Sequence, residues 1–264
     1  MEVCGLITLT TDFGTKEPYA GVVKGVIYSS NIKARIVDIT HEIPPHDIIN
    51  AAFTLVRAVE HFPEGSVHVA VVDPGVGSDR KSIAVKTDRF YYIGPDNGIF
   101  TLVLAHEKNV EIREIVNPPF VLEKISSTFH GRDVFAPCAG CLSAGLSFSH
   151  IGPVVRRIMR LTYPKIRQIG DIMEGEIVAV DSFGNLITNV SQSAFRSFLG
   201  RRKSEIYFGA ERFSKILDRY SQVPEGTPLI LFGSSGFLEI SMNGGSASSY
   251  FMTGTGSQVT IKRV

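Results

Sequence analysis

For about 150 residues, short apolar runs bounded by turn residues alternate with longer amphipathic stretches; past Pro164 the alternation stops. "LITLTTDF" reads as a strand, "EPYAGVVKGVIYSS" as a helix opened by Pro18, and "ARIVDIT" as a second strand. Asp47 then stands as the cap of a helix whose apolar residues, from Ile48 to Phe62, fall on one broad face. "SVHVAVVD" is apolar almost throughout, as a strand covered on both sides must be. "SIAVKTD" and "RFYYIG" follow as a hairpin, "GIFTLVLAH" as a short helix and "GRDVFAPCAGCLSAGL" as another. This order predicts an α/β domain with a largely parallel sheet and flanking helices. From Glu174 onward short strands and turn residues predominate, with "ERFSKILDRY" the one helical pattern, so a smaller antiparallel β domain is expected. The boundaries are residues 1–165 for the α/β domain, 166–173 for a linker and 174–264 for the β domain. Two cores suit a chain of 264 residues.

Basic and acidic side chains nearly cancel, 27 against 26, and the basic ones are scattered. A nucleic-acid partner needs a concentrated basic face, so none is expected. No apolar run approaches the roughly 18 residues of a membrane-spanning helix, and no membrane partner is expected either. The start, "MEVCGLITLTTDFG", reads as a strand without a basic leader, which points to the cytoplasm. Cys138 and Cys141 form a CxxC, yet Cys4 is the only other thiol and their neighbours are small and apolar at helical spacing. They read as buried helix residues rather than a redox pair or half a metal site.

Ligands of open α/β sheets bind where strands end, and three carboxylates fall at such places: Asp12, Asp38 and Asp73. Asp38 reads as a turn cap. Asp12 precedes Phe13-Gly14 and Asp73 precedes Pro74-Gly75, so backbone there can approach a ligand closely. The stretch "VVDPGVGSDR" resembles the glycine loop of S-adenosylmethionine (SAM) methyltransferases. However, Asp79 stands where that loop needs a glycine, and "RKSIAVK" continues as a strand instead of a helix. The alternative is that Asp73 and Arg80 act together with His130. His41, His46, His61, His68, His106 and His150 read as surface or satisfied core residues. His130 differs in preceding Gly131 and a helix start, a loop position suited to a site.

Seven blocks in order, "TTDFGTKEPYAGVVKG", "HEIPPHDI", "VVDPGVGSDRKSIAV", "GPDNGIF", "TFHGRDVFAP", "DSFGNLITN" and "SSGFLEISMNGGSA", resemble the SAM hydroxide adenosyltransferases, relatives of the bacterial fluorinase and chlorinase. The resemblance implies an N-terminal α/β domain, a C-terminal β-barrel-like domain and a homotrimer whose sites lie at subunit interfaces. By the same resemblance Asp73, Arg80 and His130 match the catalytic triad that separates the hydroxide enzymes from the halogenases. Asp12 matches the ribose-chelating carboxylate and Asp181 a residue near the methionine amine. Phe183 and Asn185 match adenine contacts, Ser234 a methionine-end contact, and the backbone at Gly244 an adenine contact. Ser235 and Met242 depart from the fluorinase pattern, which has arginines there. Glu17 and Tyr19 replace an aspartate and a serine.

The implied reaction is attack of water on ribose C5′ of SAM, giving adenosine and L-methionine with no cofactor. A neutral thioether leaves, so the demand falls on the nucleophile. A water placed in line with the C5′–S bond and relieved of a proton as it attacks meets that demand. Arg80 would keep Asp73 ionised and orient the water, while either Asp73 or His130 takes the proton. The competing readings are a SAM-dependent methyltransferase and a non-catalytic adenosine- or SAM-binding protein.

Overall fold

The structure is a computed structural model that describes residues 2–105 and 107–264. The chain forms two compact units, one ending at Leu161 and the other beginning at Thr162. His106 lies outside the described residues.

The first unit contains β1 (Leu6–Thr11), α1 (Tyr19–Ser30), β2 (Arg35–Thr40), α2 (Ile48–Ala58), β3 (Val67–Val71), β4 (Ser82–Lys86), β5 (Tyr91–Pro95), β6 (Glu111–Glu114) and α3 (Ala136–Ser143). Among the described residues its six strands run β2-β1-β3-β5-β4-β6. The pairs β1–β2, β1–β3 and β3–β5 are parallel; the predicted hairpin β4–β5 and the pair β4–β6 are antiparallel. All five residues of β3 are buried, because apolar clusters cover the sheet on both faces. Removing one such aliphatic side chain from water is worth about 1.5–3 kcal/mol. Asp47 caps α2 as its position predicts, accepting from the amide of Asn50.

The second unit contains β7 (Arg167–Ile169), β8 (Ile172–Val180), β9 (Leu186–Ser191), α4 (Gln192–Leu199), β10 (Ser204–Phe208), β11 (Glu211–Phe213), β12 (Pro228–Phe232), β13 (Phe237–Met242), α5 (Ala247–Phe251) and β14 (Gln258–Arg263). The order β11-β10-β14-β8-β9-β13-β12 is antiparallel throughout, and a bridge from Leu217 to Leu231 partly closes the remaining gap. The result is the barrel-like sheet expected here, filled by Met173, Ile177, Phe195, Ile206, Ile230 and their neighbours. The first half of β8, Ile172 to Glu176, pairs with β14, and its second half, Ile177 to Val180, pairs with β9.

Several expectations give way. Residues 166–173 are not a linker: β7 and the start of β8 form a hairpin across Gly170 and Asp171, Gly170 having φ +57°. The helical pattern of "ERFSKILDRY" is overridden by a second two-residue turn, Gly209-Ala210, which folds β11 back on β10. "GIFTLVLAH" forms successive turns over residues 99–105 rather than a helix, with amides of Thr101 and Ala105 bonded three residues back. "GRDVFAPCAGCLSAGL" splits into a π-helical turn, Gly131–Phe135, and α3. Asp38 caps no turn: it sits within β2, 2.5 Å from Lys24 Nζ and 3.1 Å from Nε2 of the buried His41. Cys138 and Cys141 are buried on α3, as their neighbours predict.

Candidate active site

The parallel pair β1–β3 aligns Thr11 with Val71, so the residues that follow, Asp12 and Asp73, leave the sheet at the same edge. Asn97 holds the end of β3 in place by donating its side-chain amide to the carbonyl of Val72 (2.8 Å). Asp73 then meets Arg80, seven residues on along the same loop. Nε donates to Oδ1 at 2.9 Å and Nη2 to Oδ2 at 2.5 Å, a two-pronged pair whose side chains are only 6% and 7% exposed. Arg80 Nη1 donates to Ser82 Oγ (2.9 Å), and the guanidinium carbon lies 5.5 Å from the centre of the Phe135 ring.

His130 comes from elsewhere. It precedes the π-helical turn, a local distortion that recurs at functional sites. Its Nδ1 lies 2.7 Å from Arg80 Nη2. A guanidinium has no lone pair to offer, so Nδ1 accepts, and the neutral ring carries its proton on Nε2. Burial lowers the imidazole's pKa below the ordinary histidine value, and Arg80 lowers it further. The neighbouring Asp133 would be raised by burial, but Arg132 and the amide of Ser126 outweigh that and hold it below the usual carboxylate range. Phe129, beside His130, packs on Phe13, beside Asp12, with ring centres 5.8 Å apart. Asp12 itself accepts the amide of His46 on Oδ2 (3.0 Å), and His46 adopts φ +69° to deliver it. Asp12, Asp73, Arg80 and His130 therefore belong to three loops tied to one another.

In the second unit "DSFGN" is both the tight turn and the wall of a pocket. Asp181 Oδ1 accepts the amides of Phe183 and Asn185, and Oδ2 accepts the side-chain amide of Asn185, all at 2.9 Å. Phe183, 78% exposed, and Asn185 line a pocket of about 550 Å³ together with Tyr220, Met242, Asn243 and Gly244. Tyr220 Oη donates to the buried Glu239 (2.9 Å), and burial with that bond pushes its pKa up to about 12. Ser234 is exposed on the β12–β13 turn and is not among the residues lining this pocket.

Residues 7–152 match the model of the SAM hydroxide adenosyltransferase N-terminal domain, and residues 175–260 match that of the C-terminal domain. The chain belongs to the SAM hydroxide adenosyltransferase family. Within this family it is 38% identical to the (R)-S-adenosyl-L-methionine hydrolase of Thermus thermophilus, over 90% of this chain and 91% of that one. It is 36% identical to the hydrolase of the same name from Methanocaldococcus jannaschii, over 91% and 89%. A fluorinase from Actinoplanes sp. is 23% identical over 98% and 97%. The crystal structure of a conserved protein from Thermotoga maritima superposes with a TM-score of 0.90 at 36% identity, covering 97% of this chain and all of the other.

Sequence spacing does not single out Ser82 and Asn97, which support the Asp73–Arg80 loop, or Tyr220, which lines the pocket of the second unit. Asp96-Asn97-Gly98 after an apolar strand is a turn signal, and it marks Asn97 only once the fold places Val72 beside it. Tyr220 was hidden inside a segment with helical spacing.

Proposed function

We propose that this chain hydrolyses SAM by direct displacement at ribose C5′, releasing adenosine and L-methionine. The observation that carries the reading is Arg80 bridging Asp73 and His130, within hydrogen-bond reach of each of them on a chain of this family. Asp73 and the Nε2–H of His130 offer a water one acceptor and one donor, which fixes its lone pair in direction. Attack by neutral water leaves a protonated alcohol, a strong acid, so a carboxylate paired with arginine is basic enough to take its proton. We assign that step to Asp73, because the only lone pair of His130's ring nitrogens is engaged by Arg80.

Asp12, with Oδ1 unbonded among the described residues, would receive the ribose hydroxyls. Phe183 would stack on adenine, and Asn185 with the backbone at Gly244 would meet its edge. The remaining lone pair on Asp181 suits an ammonium, and Ser234 would lie toward the methionine end. The resemblance to the family supports a cytoplasmic homotrimer that completes each site between one subunit's first unit and its neighbour's second, with no cofactor. The names of the hydrolase relatives further suggest the R configuration at sulfur.

The test is incubation with (R)- and (S)-SAM in ¹⁸O-labelled water. Label at the 5′-hydroxyl of adenosine is the expected result, formed from the R epimer. S-adenosylhomocysteine as product would instead make the enzyme a methyltransferase, and binding without turnover would make it a sensor.

A further inference from the structure

The amide of Asn185 has its direction set by a neighbour, and this determines what the pocket can read. Asn185 Nδ2 donates to Asp181 Oδ2 at 2.9 Å. A carboxylate can only accept, so nitrogen and oxygen of that amide cannot be exchanged without setting two acceptors against each other. Asp181 is in turn immobilised by the amides of Phe183 and Asn185 on its other oxygen. The chain closes the turn from both ends, Asp181 N–H donating to the carbonyl of Asn185 and Gly184 N–H to that of Asp181. The side chain of Asn185 is thus left with Oδ1, which no donor among the described residues reaches, and one Nδ2–H. It is buried and lines the pocket.

We infer that Asp181 is the positioning residue for base selection: by orienting the Asn185 amide it makes the pocket accept a 6-aminopurine and reject a 6-oxopurine. This rests on the reading that the pocket holds the nucleobase. An exposed amide oxygen pairs with an exocyclic amine and repels an exocyclic carbonyl. A well-formed asparagine–adenine pair discriminates by about 5- to 150-fold. Asp181→Asn keeps an oxygen for the two backbone amides and so preserves the turn, but it turns a donor toward Asn185. The Asn185 amide then rotates, offering Oδ1 to the new donor and its N–H groups to the pocket.

The experiment is calorimetric titration of adenosine and inosine, neither of which carries methionine, into wild type and Asp181→Asn. The wild type should prefer adenosine by about tenfold or more, and the variant should lose at least tenfold of that preference. A residue that only holds the turn weakens both nucleosides alike. One that only meets the methionine amine changes neither. In both cases the preference stays as it was, and that result overturns the inference. Equal affinity of the wild type for the two nucleosides overturns it without the variant. A wild type that binds neither nucleoside removes the reading of the pocket, and the inference with it. A wild type that hydrolyses SAM and prefers adenosine, beside a variant with the same preference, leaves the function standing and sinks the inference alone.

Discussion

A methyl group added to Gly77 would stand 2.4 Å from the carbonyl oxygen of Ser127. That close approach ties the loop bearing Asp73 and Arg80 to the one leading into His130. Gly77 also has φ +79°, a conformation that costs other residues energy. Gly77→Ala should therefore destabilise the protein by about 1–3 kcal/mol in urea unfolding. Its turnover should fall by more than its affinity for adenosine, since the parting of the two loops separates the triad first. Wild-type turnover in this variant would show that the loops need no such clamp.

The guanidinium of Arg80 reaches Asp73 and His130 through one planar fork. Lysine brings charge without the fork, so Arg80→Lys should lose turnover nearly as fully as Arg80→Ala. Asp73→Ala and His130→Ala should each lower turnover by about 10²–10⁴-fold while adenosine still binds. Steady-state kinetics with SAM, beside titration with adenosine, separates the two quantities.

The pH profile follows from the proton on His130. Its neutral form is the one that accepts from Arg80, and its pKa lies below the ordinary value of about 6.5. Activity should stay level as pH falls to that value and decline only beneath it, as the imidazolium forms and is repelled by Arg80. A decline centred at or above 6.5 would contradict this arrangement.

Acid should act on stability through a different histidine. His68 is fully buried on β3, bonded to Thr8 Oγ1 (2.8 Å), and burial lowers its pKa to about 3. Between pH 6.5 and 3 the unfolded chain binds a proton that the folded chain does not. The contribution is thus complete above the unfolded pKa and is lost as pH falls, by about 2 kcal/mol at pH 5. His68→Gln should show a smaller difference in urea midpoint between pH 8 and pH 5 than the wild type does.

Asn185→Ala should weaken adenosine binding by about tenfold or more and leave the shape of the pH profile alone. Unchanged affinity would return "DSFGN" to the status of a turn.

Long-period features of the fold were legible in the sequence because they follow from burial: β3 needs no polar face, and Asp47 announces α2. What escaped were the hairpins β7–β8 and β10–β11, each turning on two residues, Gly170-Asp171 and Gly209-Ala210. A turn that short leaves no polar stretch to notice, and its flanks carry the patterns of a linker and of a helix. At the site, Asp73 and Arg80 share one loop and could be paired from sequence. His130 joins them across 50 residues, visible beforehand only as a loop histidine in a resembling block. The direction of its proton and the grip of Asp181 on Asn185 depend on which atoms meet, which spacing does not encode.

The divided pairing of β8, with β14 along one half and β9 along the other, leaves the second unit without a seam. The two halves of the sheet share the backbone of one continuous strand, so neither can melt without pulling on the strand that the other is paired with. Amide protons at the centre of β8 should therefore exchange with solvent only when the whole unit opens, slower than those of the edge strands β11 and β12.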